Sequence, residues 1–124
     1  MSAKEVVERR RHRRFRAQDG VFAAPRVVNQ ERKLWHIMDI SMGGLAFRYI
    51  PAADDFDKFW ELDILTRDTL FSMEGVPLIC ISDLEMPDEP TTSYTLRRRS
   101  VRFGELTQSQ TSKLEYLIRH RTFP

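Results

Sequence analysis

Cysteine is the scarcest resource of this sequence. Cys80 is the single thiol in 124 residues, which excludes an internal disulfide framework and any multi-cysteine metal site. The three histidines, His12, His36 and His120, sit at spacings that match no zinc motif. No apolar run approaches the roughly 20 residues of a membrane span, so no membrane insertion is expected. The charged N-terminus lacks an apolar secretory segment. With the lone thiol, these absences point to a reducing, cytoplasmic compartment. Only five glycines are present and they are scattered, so there is no glycine-rich phosphate loop. Ser41 lacks the strand–turn–helix glycines of a nucleophile elbow. Asp54, Asp55 and Asp57 miss the central glycine of a calcium loop and read as a solvated turn. Asp83 and Glu85 read as surface charge. Cys80, in the apolar run 78–81, reads as a buried, inert thiol. Trp35 and Trp60 read as core aromatics. No catalytic residue, cofactor or metal emerges, and the chain does not read as an enzyme.

The net charge of +2 is equally sparse, but it hides an asymmetry. Six arginines lie between Arg9 and Arg16, four more between Arg97 and Arg102, and four acidic residues between Asp83 and Glu89. Such clusters matter more for partners than the sum does. Hydrophobic residues make up 41% of the chain, enough for it to fold, and the length suits one domain. Residues 1–18 read as a flexible basic arm. Residues 19–106 read as short strands at 21–28, 34–39, 45–49, 62–66, 69–73, 76–82 and 94–103. Leu45, Phe47 and Tyr49 alternate with Ala46 and Arg48, the period of a half-buried strand. Gly43 and Gly44 mark a tight turn with room for positive φ. Proline and acidic residues suggest linkers at 51–55 and 85–90. Six or seven such strands indicate a small antiparallel β-barrel or a sandwich. The period then changes. Thr107 and Gln110 match a capping box, and Leu114, Leu117 and Ile118 recur at helical spacing. Residues 107–121 therefore read as an amphipathic helix of about three turns laid on the barrel.

Two motifs carry chemistry. The first is the arginine cluster 9–16. A guanidinium is a planar fork of donors that fits phosphate oxygens, fits the O6 and N7 acceptors of guanine, and stacks on a base. The second is Asp39-Ile40-Ser41-Met42-Gly43-Gly44 at a strand junction. Asp39 can accept from the ring N–H and exocyclic amine of guanine. The Ser41 hydroxyl can donate or accept, and Gly44 permits a close approach. Together they suit an anionic, guanine-containing ligand. Taken singly, the arm reads as a solvated or nucleic-acid-attracted tail, and the second motif as an ordinary turn.

In this order the motifs resemble a PilZ domain, the small β-barrel that binds the bacterial second messenger cyclic di-GMP. Arg-Arg-x-x-x-Arg at 9–14 and Asp-x-Ser-x-x-Gly at 39–44 carry the resemblance. The segment 101–106 followed by a capped helix is similar to the last barrel strand and closing helix, so it covers about 8–121. The resemblance implies that Arg10 and Arg14 hold phosphates and stack on guanine. It implies guanine-edge contacts for Asp39 and Ser41, and close approach at Gly44. Arg9, just before the pair, implies an intercalated dimer of the ligand. Arg9 and Arg13 share the same spacing; the Arg10–Arg14 register is preferred because Phe15 follows it. A stand-alone receptor is the expectation, in which the ligand closes the arm and the signal passes to an unidentified downstream protein. A ligand-free adaptor and a nucleic-acid binder using the arm are the alternatives, and the latter leaves Asp39 without a task. Arg97–Arg99 fit a place near the ligand, a partner surface or a solvated strand edge.

Overall fold

The computed structural model describes residues 12–26, 33–50, 61–86 and 96–124. Among them run β1 (Phe15–Arg16), β2 (Val21–Pro25), β3 (Trp35–Ile40), β4 (Gly44–Tyr49), β5 (Glu61–Thr66), β6 (Ser72–Glu85), β7 (Arg97–Phe103) and α1 (Gln108–Arg121). The antiparallel order β3-β2-β5-β6-β7-β4 returns to β3 and closes six strands into a barrel. Closure leaves no edge for those strands over the paired stretches. β1 is the extra strand. It pairs Phe15 with Ile40 and Arg16 with Asp39, on the edge of β3 that β2 occupies at His36 and Trp35. The basic segment is thus paired to the barrel from Phe15 onward.

Alternation explains the interior. Leu45, Phe47 and Tyr49 turn inward from β4, and the Trp35 ring stacks on Phe47 at 4.9 Å. Ile40, Leu62, Ile64, Met73, Val76 and Val101 complete a core with essentially no exposure. The capping box forms: Thr107 Oγ1 accepts from the Gln110 amide at 3.1 Å, and Gln110 Oε1 accepts from the Thr107 amide at 2.9 Å. The helix runs 14 residues and fills the expected span from Gln108 to Arg121 behind its cap Thr107. It buries Leu114 and Leu117 completely. Gln110 Nε2 donates to the Glu74 carbonyl at 2.9 Å and ties the first turn to β6.

The structure departs from the sequence reading in several places. Segments 69–73 and 76–82 are not two strands. Thr69, at φ 61°, sits in a turn after β5, and the remainder is the single strand β6, bent at Gly75, where φ is 64°. β6 also continues to Glu85, where a linker was expected, because Asp83 and Glu85 face Arg99 and Arg97 across β7. Cys80 is exposed, not buried. Beyond Pro77 the β5 ladder ends and β6 keeps β7 as its paired neighbour, and Ile79, Cys80 and Ile81 are exposed. Trp60, the aspartates at 54, 55 and 57, and most of both expected linkers lie outside the described residues. No helix among the described residues is long and apolar enough to cross a membrane.

Candidate functional site

The site begins with a register. β1 sets Arg16 opposite Asp39, so the segment leading into it passes over the outer face of β3. There Arg14 Nη1 donates to Asp39 Oδ1 at 2.6 Å. The two sequence motifs, 25 residues apart, meet at this ion pair. A bulge in β3 between Ile37 and Asp39 aims the carboxylate. Ile37 and Ile40 both stay in the core, and the extra residue between them sends Met38 and Asp39 outward.

Asp39 has a second partner that the sequence reading left undecided. Arg98 Nη2, from β7, donates to Asp39 Oδ2 at 2.7 Å, and Arg98 Nη1 lies 3.8 Å from Met38 Sδ. β7 lies between β6 and β4, so the solvated-edge reading of Arg97–Arg99 is wrong: the three arginines stand on a central strand. Alternation along β7 separates them. Arg98 points outward to Asp39. Arg99, its side chain 7% exposed, points inward to Asp83. Asp83 is accordingly not free surface charge. It accepts from Arg97 Nε at 2.6 Å, from Arg99 Nη2 at 2.7 Å and from the Tyr49 hydroxyl. Burial raises the Asp83 carboxyl, but these hydrogen bonds outweigh it and hold it below the usual range. Burial, then the bond to Asp83, pushes the Tyr49 phenol up to about 12. This cluster binds β4, β6 and β7 together at one end of the barrel.

Ser41 and Gly44 build the turn that follows Asp39. The amides of Gly43 and Gly44 each donate to Ser41 Oγ at 3.1 Å, and the hydroxyl donates to the Gly44 carbonyl at 3.2 Å. Ser41 is buried, and β3 has ended before it. Gly44 does not need positive φ; among the described residues, those with that conformation are Gly20, Gly75 and Thr69. It is small because β7 passes against it: a Cβ there would lie 2.2 Å from the Val101 carbonyl oxygen. Arg9 and Arg10 lie outside the described residues, so Arg14, Asp39, Ser41 and Gly44 are the anticipated site residues the structure places. Among the described residues no group of three His, Cys, Asp or Glu side chains could hold a metal. An open cleft of about 580 Å³ lies beside Phe15, Ile118 and Phe123, but Asp39 and Arg14 do not line it.

No family model matches the sequence, and no curated protein does. Solved structures do. The complex of MrkH from K. pneumonia with c-di-GMP superposes with a TM-score of 0.67 at 19% identity, over 88% of this chain and 50% of MrkH. The PilZ domain of YcgR from Escherichia coli, with c-di-GMP, gives 0.62 at 21% identity over 90% of this chain and 89% of that domain. YcgR from the same organism in complex with c-di-GMP gives 0.65 at 19% identity, over 90% of this chain and 45% of YcgR. The chain thus spans about half the length of MrkH and of YcgR. The barrel with its closing helix is the PilZ-domain fold.

Proposed function

We propose that this chain is a cyclic di-GMP receptor and not an enzyme. The observation that carries the reading is the ion pair between Arg14 and Asp39, which unites the arginine motif and the Asp-x-Ser-x-x-Gly motif on one face of the barrel. In the proposed complex Arg10 and Arg14 grip phosphate and stack on guanine, and Asp39 accepts from the guanine edge. Ser41 and Gly44 serve by fixing the turn that carries Asp39 and by leaving room at it. Arg9 adds a third fork, and an intercalated dimer of the ligand occupies the site.

The proposed switch is closure of the arm over the ligand, which presents a new surface to a downstream protein. Fixing a residue costs roughly 1–2 kcal/mol of backbone entropy. Residues 15–17 are already tied to β3 and the C-terminal segment, so fewer residues remain to be ordered. Charge-assisted hydrogen bonds of about 1.5–3 kcal/mol each, with stacking, offset that cost. Calorimetric titration with cyclic di-GMP tests the reading. Saturable binding near two ligands per chain is expected. A purified, folded chain that gives no saturable heat would return it to a ligand-free adaptor.

A further inference from the structure

We propose that Arg98 is the positioning residue of the ligand site, holding Asp39 from the barrel wall so that its carboxylate is set to read guanine. The inference rests on the function proposed above and adds to it a residue outside both motifs. Asp39 is bracketed: Arg14 takes Oδ1 at 2.6 Å from the arm, and Arg98 takes Oδ2 at 2.7 Å from β7. The two partners are not equivalent. Arg14 belongs to the segment that must turn toward an incoming phosphate. Arg98 belongs to a strand hydrogen-bonded on both sides and has no such freedom of place. When Arg14 leaves for the ligand, Arg98 is the cation that stays.

Two consequences follow from elementary electrostatics. A bare carboxylate beside a doubly anionic dinucleotide is repelled by it, and an adjoining guanidinium offsets that repulsion. A carboxylate has about four lone-pair sites, so one bond from Arg98 still leaves acceptors for the guanine N1–H and 2-amino group. Arg98 Nη1 lies 3.8 Å from Met38 Sδ while Nη2 holds Oδ2, so the guanidinium plane is set and its one bond has a direction that an ammonium holds less well. Arg48 is a natural control. It pairs directly with Arg98 in register and is exposed, so its removal changes local charge by the same amount without removing either cation from Asp39.

The experiment is calorimetry on the full chain with cyclic di-GMP and with cyclic di-IMP, which differs by lacking the guanine 2-amino groups. Arg98→Ala is expected to weaken cyclic di-GMP binding about tenfold or more and to narrow the preference over cyclic di-IMP. Arg98→Lys is expected to restore part of the affinity and less of the preference. Arg48→Ala is expected to change affinity by about twofold or less. An Arg98→Ala protein that keeps wild-type affinity, or that loses both ligands equally with the preference intact, would overturn the inference while the receptor reading stands. A wild-type chain that binds neither ligand would overturn both.

Discussion

Asp39 and Asp83 are two carboxylates met by arginines, and their surroundings give them different tasks. Asp39 lies on the outer face, with one of its cations on the N-terminal segment and the other on the barrel. Asp83 is shared by Tyr49, Arg97 and Arg99 among three strands. Replacing Asp83 with Ala is expected to destabilise the fold by about 3 kcal/mol, read as a fall in Tm on the order of 10 °C, with little change in ligand selectivity. Asp39→Ala should do the reverse. It should weaken cyclic di-GMP binding while leaving cyclic di-AMP affinity nearly unchanged; equal losses for both ligands in calorimetry would remove Asp39 from base recognition. The sequence carried the Arg14–Asp39 chemistry because each residue type states its own preference for phosphate or guanine. It did not carry the Asp83 cluster, whose members meet through the β6–β7 register and not through any local pattern. Arg98 was hidden for the same reason: in a run of three arginines, only the phase of the strand says which one faces out.

At the scale of elements, the signals that lie within a few residues of each other were legible and those that depend on a neighbour were not. The capping box of α1 is local, and it formed as read. Gly44 looked like a turn glycine, yet the demand on it comes from the backbone of β7. The contrast with Gly43 is testable. A Cβ at Gly44 meets the Val101 carbonyl at 2.2 Å, whereas one at Gly43 meets the His12 ring at 2.6 Å. Backbone cannot yield cheaply and an exposed side chain can. Gly44→Ala is expected to cost about 1–3 kcal/mol and Gly43→Ala clearly less, measured by thermal unfolding; equal losses would refute the close-packing account. The turn after β5 is tied to the helix end by Asp68, which accepts from Thr66 Oγ1 at 2.6 Å and from Arg121 Nη2 at 2.7 Å. These bonds, the Thr66 hydroxyl first, hold its carboxyl at about 2. The folded pKa lies below the unfolded value, so the stabilisation is complete above pH ~4 and is lost as pH falls toward about 2. The stability gap between wild type and Asp68→Asn should close across that window in acid unfolding; a gap independent of pH would contradict the assignment.

For the whole molecule, closure is the organising fact. Six strands meet their own first member, α1 covers the core with Leu114 and Leu117, and β1 continues the edge of β3. The segment at and just after β1 then meets the segment that ends α1. Ala17 bridges Thr122, the Gln18 amide donates to the Arg121 carbonyl at 2.9 Å, and the Phe123 amide donates to the Arg16 carbonyl at 2.9 Å. The residues that follow the arginine motif are therefore sandwiched between β3 and the helix terminus. Removing residues 122–124 is expected to speed hydrogen exchange at the Ala17 amide, which donates to Met38 O at 3.0 Å; unchanged protection would mean that β3 alone holds β1. Most of the strands and the closing helix were readable from alternation and turn chemistry, and the choice of a barrel over a sandwich came with the family resemblance. The exposure of β6 from Ile79 to Ile81 was not readable, because these residues are apolar or thiol whether a neighbouring element covers them or not. Arg14, seated against Asp39, is proposed to grip the same dinucleotide. Calorimetric titration of cyclic di-GMP into wild type and Arg14→Ala measures this directly. A loss of roughly 30- to 1,000-fold in affinity is expected, and equal affinity in the two proteins would contradict the account.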